Sequence, residues 1–301
     1  MKLIAGIFVS LLGLFAISSC NNTTSSTSAE DSASKQSDSS IAAPADTGGP
    51  VKFTLGVQMW TFRMFSFADA LNKVDSAGVK NIEAFFGQEL GGDMRGDFGT
   101  EMSADTRAKL KQLLQSKGMQ IVAIGVISPQ DSTEWRKAFD LAKEFGLSYI
   151  TAEPDKKQWG MVDKMAGEYG IKIAIHDHPK PNRYSSPDSV LEAVQDHPNI
   201  GACADVGHWA RNGLNPVECL RKLEGHVYGA HLKDVVKFDD TGAADTVVGK
   251  GVIDLPAVFA EFKRQNFNGI MSIEHESNSY HKLPDIIETV KYYNDQVAKL
   301  Q

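Results

Sequence analysis

A repeating unit runs through residues 51–301 and limits the fold more than any other feature of the chain. In each unit, a short run of β-branched and apolar residues precedes a longer amphipathic segment. The eight runs are FTLGVQMW (53–60), VKNIEAFF (79–86), MQIVAIGVI (119–127), LSYITAEP (147–154), IKIAIHDHP (171–179), IGACADVGH (200–208), VYGAHLKD (227–234) and GIMSIEHE (269–276). Eight strands alternating with helices predict a (β/α)8 barrel, the α/β TIM barrel. A doubly wound open sheet is the alternative, but it usually has fewer strands, and no glycine-rich dinucleotide fingerprint follows the first run.

Glycines and helix signals mark the boundaries between these units. A glycine stands at or just before six of the runs, where it fits a left-handed cap ending a helix: Gly78, Gly118, Gly146, Gly170, Gly225 and Gly269. The spacing of apolar residues predicts helices over 103–118, 186–198 and 283–300. In the second of these, Pro187 stands near the start, with Asp188 and Ser189 as candidate caps.

The first fifty residues carry the signals of export rather than of a fold. Lys2 precedes an apolar run, and small residues lead directly to Cys20, an order that resembles a bacterial lipoprotein signal peptide over 1–19 with lipidation at Cys20. A plain signal peptide or a short membrane anchor is the alternative, although the run is short for a spanning helix. Residues 20–50 are rich in Ser, Thr, Ala and Asp and predict a flexible linker. We therefore predict a lipid-anchored protein of the cell envelope, on its periplasmic side, that meets the membrane only through its lipid.

Charge and cysteine content exclude other classes of protein. The net charge of −7 opposes a nucleic-acid partner, because binding to phosphates requires a basic face. Cys203 and Cys219 remain after Cys20, and two cysteines do not form a disulfide framework. Whether these two cysteines pair stays open at this point.

Side chains that can bind metal or move protons end five of the eight runs. They are Glu153 in the fourth run, His176 and His178 in the fifth, Asp205 and His208 in the sixth, His231 and Lys233 in the seventh, and Glu274 and Glu276 in the eighth. Residues i and i−2 share one face of a strand, so a small residue lies below most of these side chains: Thr151, Ala174, Cys203, Gly229 and Ser272. Larger neighbours such as Ile150, Ile175 and Ile273 are then predicted to face the helices. Because TIM-barrel sites form at the C-terminal ends of the strands, we predict a site there, with space for an ion and a small ligand.

A single residue of this kind has an ordinary structural explanation. A carboxylate at a strand end often caps a helix or forms an ion pair, and a lone histidine is often a hydrogen-bonded core residue. Several of them on successive strands favour a site. Three carboxylates and one imidazole would form an oxygen-rich site for Mn²⁺ or Mg²⁺, with Co²⁺ or Zn²⁺ as alternatives.

Four motifs, ITAEP, ADVGHW, AHLKD and SIEHE, resemble in this order the sugar isomerase/epimerase family of xylose isomerase-like barrels, an AP endonuclease 2-type superfamily. The resemblance covers essentially all of residues 51–301. It implies that Glu153, Asp205, His231 and Glu274 hold one divalent ion. It also implies that His208 contacts substrate oxygens. The fifth run, IAIHDHP, departs from the epimerase pattern and leaves the reaction open.

The chemistry of that family removes a proton beside a sugar carbonyl. The ion binds the ketone oxygen and a neighbouring hydroxyl, and it stabilises the enediolate that forms when the adjacent carbon loses its proton. The resemblance implies that Glu153 and Glu274 exchange protons, and His176 is a second candidate base. Lys233 is a candidate for stabilising negative charge, and a surface lysine paired with Asp234 is the alternative interpretation.

The remaining candidates for substrate binding form an aromatic and polar rim. They are Trp60, Glu83 and His178, with Gln58 and Phe85 beside them. This rim suits a neutral sugar better than a phosphate, and sugar phosphates are largely cytosolic. Trp60 and Phe85 could equally belong to the core.

Two reactions fit these residues. The leading hypothesis is a metal-dependent isomerase or epimerase of a non-phosphorylated sugar, acting in carbohydrate metabolism. The alternative is a lyase or hydratase that acts on a 3-keto-glycoside through the same enediolate during glycan breakdown. Nucleic-acid repair is opposed by the acidic balance, and a non-catalytic sugar-binding lipoprotein is disfavoured by the full set of metal-ligand candidates.

Overall fold

Eight parallel strands close into a barrel in the computed structural model, which describes residues 52–301. The predicted signal peptide, Cys20 and the linker lie outside the described residues. Each barrel strand neighbours the barrel strands that come before and after it in the sequence, and the first and last of them pair to close the ring. The barrel strands are β1 (Thr54–Gln58), β2 (Asn81–Ala84), β3 (Gln120–Ile127), β4 (Tyr149–Ala152), β5 (Lys172–His176), β6 (Ile200–Asp205), β7 (Val227–Leu232) and β10 (Ile270–Ile273). The prediction of an α/β TIM barrel is confirmed.

At least one helix follows each barrel strand. The helices are α1 (Phe67–Ser76), α2 (Ala104–Lys117), α3 (Ser132–Phe145), α4 (Trp159–Tyr169), α5 (Pro187–Val194), α6 (Val206–Arg211), α7 (Pro216–Lys222), α8 (Leu255–Arg264) and α9 (Leu283–Leu300). Short 3₁₀ turns follow β1 (Met59–Phe62) and β4 (Lys156–Gln158), and a small antiparallel pair follows β7, formed by β8 (Asp234–Val235) and β9 (Asp245–Thr246). No helix among residues 52–301 is long and apolar enough to cross a membrane.

Helix boundaries follow the predicted signals with two exceptions. Gly118, Gly146 and Gly170 end α2, α3 and α4 in the left-handed conformation, as predicted. Gly269 is not left-handed; a Cβ there would lie 2.5 Å from the carbonyl oxygen of Tyr228, so this glycine permits a close approach of two backbones. Helix α5 begins one or two residues before the predicted caps, because Pro187 is its first residue.

The two faces of the strands separate as their alternation predicts. Ile150, Ile175 and Ile273 are buried in the main hydrophobic core together with residues of the helices. Inside the barrel, the ring of Tyr149 packs among small residues, Ala123, Ala174 and Cys203, and a Cβ on Gly229 would lie 2.6 Å from its Oη. The small residues make room for Tyr149, which forms a floor below the strand ends.

Cys203 and Cys219 are both buried free thiols. Burial raises the pKa of Cys203 to about 11 and that of Cys219 to about 12, so both stay protonated at neutral pH. The question left open by the sequence is answered, because the two cysteines do not pair in the structure.

Candidate functional site

Four buried side chains from four neighbouring strands converge above this floor. His176, Asp205, His231 and Glu274 bring one ligand-type atom each to within 4.8 Å of one another, and we call them the histidine–carboxylate cluster. His231 Nδ1 lies 2.9 Å from His176 Nε2 and 3.0 Å from Glu274 Oε2. Asp205 Oδ2 lies 3.6 Å from His176 Nε2. Two imidazoles and two carboxylates in such a cluster can hold a divalent metal ion.

Glu153, which the resemblance implies as a metal ligand, lies beside the histidine–carboxylate cluster and forms a second group with His176 and His178. Its Oε1 accepts a hydrogen bond from His178 Nδ1 and lies 3.9 Å from His176 Nδ1, and its Oε2 accepts one from Asn182 at 3.1 Å. These contacts turn the carboxylate toward the end of β5. The fourth position of the cluster is taken by His176, because β5 lies between the strands that carry Glu153 and Asp205.

Electrostatic contacts set the protonation states of Glu153 and His176. Burial disfavours the charged form of Glu153, but the nearby imidazole of His176 and the hydrogen bond from His178 outweigh it and hold the pKa of Glu153 well below its usual range. Burial likewise opposes charge on His176, while Asp205 and Glu153 raise the pKa of His176 to about 9. Glu153 is therefore an ionised carboxylate at neutral pH.

Asp205 uses its two oxygens differently. Oδ1 accepts the backbone N–H of His208 at 2.9 Å and caps α6, so the ordinary explanation of a helix cap holds for this oxygen. Oδ2 is buried and pairs with the ammonium of Lys233 at 2.9 Å. Asp177 fixes the backbone here, since its Oδ1 accepts the N–H of Asp205 at 2.8 Å. A buried carboxylate needs a nearby cation, and Lys233 supplies one to Asp205.

Lys233 supplies the positive charge next to the cluster. Its side chain is fully buried, and Nζ lies 3.0 Å from Glu274 Oε2 and 3.2 Å from Glu276 Oε2. Burial opposes the charged form, but Asp205, Glu274 and Glu276 hold the pKa of Lys233 well above its usual range. The stem packs on Gly207, where a Cβ would lie 2.6 Å from Lys233 Cγ.

The alternative of a surface lysine paired with Asp234 is wrong. Asp234 is itself buried, and its Oδ2 accepts the backbone N–H groups of Gly249 and Gly251 at 3.0 and 2.9 Å. Asp234 therefore shapes the loop after β8, while Lys233 points into the barrel mouth.

Glu83 lies beneath the histidine–carboxylate cluster and not on the rim predicted from the sequence. It is fully buried, its Oε2 lies 3.0 Å from His231 Nε2, and the same oxygen accepts the hydroxyl of Ser272 at 2.8 Å. A carboxylate on one ring nitrogen fixes the orientation of the imidazole and leaves the other nitrogen free to bind a metal. Glu83 thus positions His231 and is shielded from a ligand at the mouth.

Glu83→Gln should lower the affinity for a divalent metal by about 10–100-fold, because the amide orients and polarises the imidazole less well than the carboxylate. Competition with a chromophoric chelator measures this affinity. Glu89→Gln, on the exposed side chain six residues later, is the matched control and should bind as the wild type does. Equal affinities of the Glu83 and Glu89 variants would refute the positioning role.

His208 closes one side of the site as a neutral imidazole. It is almost fully buried, Arg211 Nη1 donates to its Nδ1 at 3.0 Å, and Lys233 Nζ lies 3.2 Å from its Nε2. Burial, with help from the charge of Lys233, holds the pKa of His208 well below its usual range. Arg211 also pairs with Glu276 at 2.8 Å and with Asp245, so it ties His208 to the end of the eighth barrel strand.

The rim residues differ in their exposure. Trp60 is 40% exposed, and its ring meets that of Phe85 edge-on with centroids 5.0 Å apart, whereas Phe85 is buried. Both rings line an open cavity of about 320 Å³, which we call the aromatic cavity; it also reaches Glu153 and His178. Gln58 is buried at its edge and donates to the carbonyl oxygen of Gly125 at 2.9 Å. Trp60 is therefore available to a ligand at the barrel mouth.

Lys282 holds the segment that follows β10. Its buried Nζ donates to the carbonyl oxygens of His275 at 3.1 Å and Ser277 at 2.7 Å. The two carbonyls flank Glu276, so this lysine fixes the backbone that carries the last acidic residue of the site. Burial, with the charge of Arg63 nearby, lowers the pKa of Lys282 to about 8.

The stability of the metal-free protein should contain a contribution from Lys282 that grows as the pH rises from about 8 to about 10.5. In this window the unfolded lysine still binds its proton and the folded one does not, so folding is favoured by up to about 3 kcal/mol more at the upper end. Urea unfolding at several pH values should show the difference between wild type and Lys282→Met increasing across the window. Lys291→Met, on an exposed lysine of α9, is the matched control, and an equal increase in that variant would refute the contribution of Lys282.

Comparisons with known proteins place the chain among TIM barrels. Residues 71–296 match the family described as xylose isomerase-like TIM barrel. An uncharacterized protein from Parabacteroides distasonis ATCC 8503 has a solved structure that is 32% identical, with a TM-score of 0.65, over 81% of this chain and 99% of that one. The solved structure of IOLI protein with a bound zinc atom is 20% identical, with a TM-score of 0.62, over 83% of this chain and 99% of that one. The latter likeness shows the fold.

Curated relatives match over a shorter region. An inosose dehydratase of Clostridium botulinum (strain Alaska E43 / Type E3) is 28% identical over 144 residues, which are 43% of this chain and 47% of the relative. The chain thus spans about half the length of the curated relatives it matches.

Proposed function

The chain belongs to the xylose isomerase-like TIM barrel family, and from this membership and the histidine–carboxylate cluster we propose that it is a metal-dependent enzyme that removes a proton beside a sugar carbonyl. The proposed outcome is isomerisation or epimerisation of a non-phosphorylated sugar. The substrate class follows from the proposed location in the cell envelope, which stays a prediction from residues 1–50. Trp60, exposed at the barrel mouth, supports a neutral sugar as the ligand.

The single observation that carries this proposal is the convergence of four buried ligand-type atoms, one from each member of the histidine–carboxylate cluster, to within 4.8 Å of one another. We propose that His176, Asp205, His231 and Glu274 hold the ion. When bound, a divalent ion supplies Lewis-acid polarisation of a carbonyl oxygen. Two imidazoles in the set favour Zn²⁺, Co²⁺ or Mn²⁺ over Mg²⁺, and the zinc atom in the IOLI protein structure agrees with this preference.

Glu153 is the proposed proton acceptor. Its carboxylate borders the aromatic cavity, is ionised at neutral pH, and lies outside the histidine–carboxylate cluster. Hydrogen bonds from His178 and Asn182 fix both of its oxygens and so fix the direction from which it meets a substrate carbon. Lys233, whose ammonium contacts Glu274 and lies near His208, is suited to stabilise negative charge that develops on a substrate oxygen.

A carbon–oxygen lyase is the second candidate, and His178 is the observation that favours it. This histidine donates to Glu153 and lines the aromatic cavity, so a base and an acid lie side by side at the same ligand. In an elimination, Glu153 would take the proton from one carbon and His178 would protonate the group leaving the next carbon. The match to an inosose dehydratase adds support for this outcome.

Proton NMR in D₂O with added divalent metal tests the proposal on a panel of keto-sugars and keto-glycosides. Deuterium that enters one carbon of an intact sugar supports the isomerase or epimerase. Release of water or of an aglycone supports the lyase. If the metal-loaded protein exchanges no carbon-bound proton on any member of the panel, both candidates are wrong.

A further inference from the structure

A second cavity adjoins the aromatic cavity on the other side of Glu153. It holds about 300 Å³, opens to solvent, and we call it the polar cavity. Its lining includes Ser128, Gln130, Asp155, Lys157, Asn182 and Arg183. Ser128 and Glu153 line both cavities, so the two cavities meet at these residues.

The two cavities differ in chemistry. Trp60, Phe85 and Phe86 give the aromatic cavity apolar walls that suit the C–H face of one sugar ring. The walls of the polar cavity are hydroxyl, amide and charged groups, which suit the hydroxyl groups around the edge of another ring. Each cavity alone has a volume at the lower end of the range for small-molecule sites, roughly 300–1,000 Å³.

Several donors in the polar cavity are free to bind a ligand. Lys157 is exposed and has no partner among the described residues, although the adjacent Lys156 pairs with Glu192. Arg183 donates to the carbonyl oxygen of Pro154 at 3.0 Å and pairs with Asp155 at 3.2 Å, which uses two of its five N–H groups. These donors surround a space large enough for a group bonded to the reacting sugar.

We propose that the polar cavity is a glycosyl subsite and that the ligand of this protein is a glycoside of at least two sugar units. The reacting unit lies in the aromatic cavity beside the histidine–carboxylate cluster, and the second unit lies in the polar cavity with its hydroxyl groups on Lys157 and Arg183. The assignment of the reacting unit rests on the proposed function. Binding of the second unit requires no reaction and is tested without one.

Isothermal titration of the full chain with glucose and with α- and β-linked glucose and galactose disaccharides tests this proposal. At least one disaccharide should bind about tenfold more tightly than glucose, because the second unit adds hydrogen bonds to charged donors. Lys157→Met should remove most of this gain and leave the affinity for glucose unchanged. Lys156→Met, one residue away and outside the lining of the cavity, is the matched control and should keep the full gain.

A second measurement follows Arg183, the other cationic side chain of the polar cavity. In ¹⁵N NMR, the Arg183 Nε–H signal should shift on addition of the tighter disaccharide and stay in place with glucose. Disaccharides that all bind no more tightly than glucose would overturn the subsite, and so would a Lys157→Met variant that weakens glucose and disaccharide equally. Tight disaccharide binding without any deuterium exchange would defeat the proposed function alone, whereas exchange without a preference for disaccharides would defeat the subsite alone.

Discussion

Asp205→Asn should lower the affinity for a divalent metal by at least about 100-fold and metal-dependent deuterium exchange by about 10³-fold. The substitution removes the negative charge that Asp205 contributes to the histidine–carboxylate cluster. Asparagine still caps α6 with its side-chain oxygen, so the local backbone is preserved. The metal-free variant should lose about 1–3 kcal/mol of stability, because Lys233 keeps Glu274 and Glu276 but loses one of its three carboxylates.

Chelator competition, exchange rates and urea unfolding measure these three effects. Asp188→Asn is the matched control, since Asp188 is an exposed carboxylate that pairs with Lys222 and lies outside the cluster. This control should bind metal and catalyse exchange as the wild type does. Wild-type metal affinity in Asp205→Asn would show that the histidine–carboxylate cluster is not the metal site.

Glu153→Gln should lower the rate of exchange by about 10²–10⁴-fold and retain the metal, because Glu153 is the proposed proton acceptor and lies outside the cluster. His176→Asn should instead weaken metal binding, because His176 fills the fourth position. The two variants together separate this arrangement from the one implied by family resemblance, in which Glu153 is a ligand.

Metal content after gel filtration and exchange rates at saturating metal give the two measurements. Glu168→Gln, on an exposed residue of α4 near Lys164, is the control for the charge change and should alter neither quantity. Loss of the metal in Glu153→Gln with retention in His176→Asn would restore the implied ligand set.

Much of the site follows from strand alternation, which is a local property of the sequence. Asp205, His231 and Glu274 end their strands two residues after small inward-facing residues, and the structure gathers all three. Alternation fixes the face on which a side chain lies, but the height of a residue inside the barrel depends on the stagger of its neighbours. Glu83 shows this limit, because its contact with Ser272 puts it below Glu274 and away from the rim.

Side-chain direction at the strand ends is the other quantity that the sequence leaves undetermined. Glu153 turns toward His178 and Asn182, and Asn182 comes from a loop without a repeating pattern. The four motifs also leave out Arg211, but its contact with His208 could have been predicted from the sequence. It stands three residues after His208 on α6, and residues at this spacing meet on one face of a helix.

Tyr149 forms a floor inside the barrel, so ligands and protons reach the histidine–carboxylate cluster from the barrel mouth. Its Oη has no hydrogen-bond partner among the described residues, and burial raises its pKa well above the usual range, so the phenol neither relays nor releases protons. Its small neighbours Ala123 and Ala174 carry no titratable group, and burial raises the pKa of the Cys203 thiol to about 11. A proton taken from a substrate carbon at Glu153 then has two fates: return to the same ligand, or escape to bulk water past the rim. The ratio of internal return to isotope wash-out therefore reports how tightly a bound ligand closes the mouth.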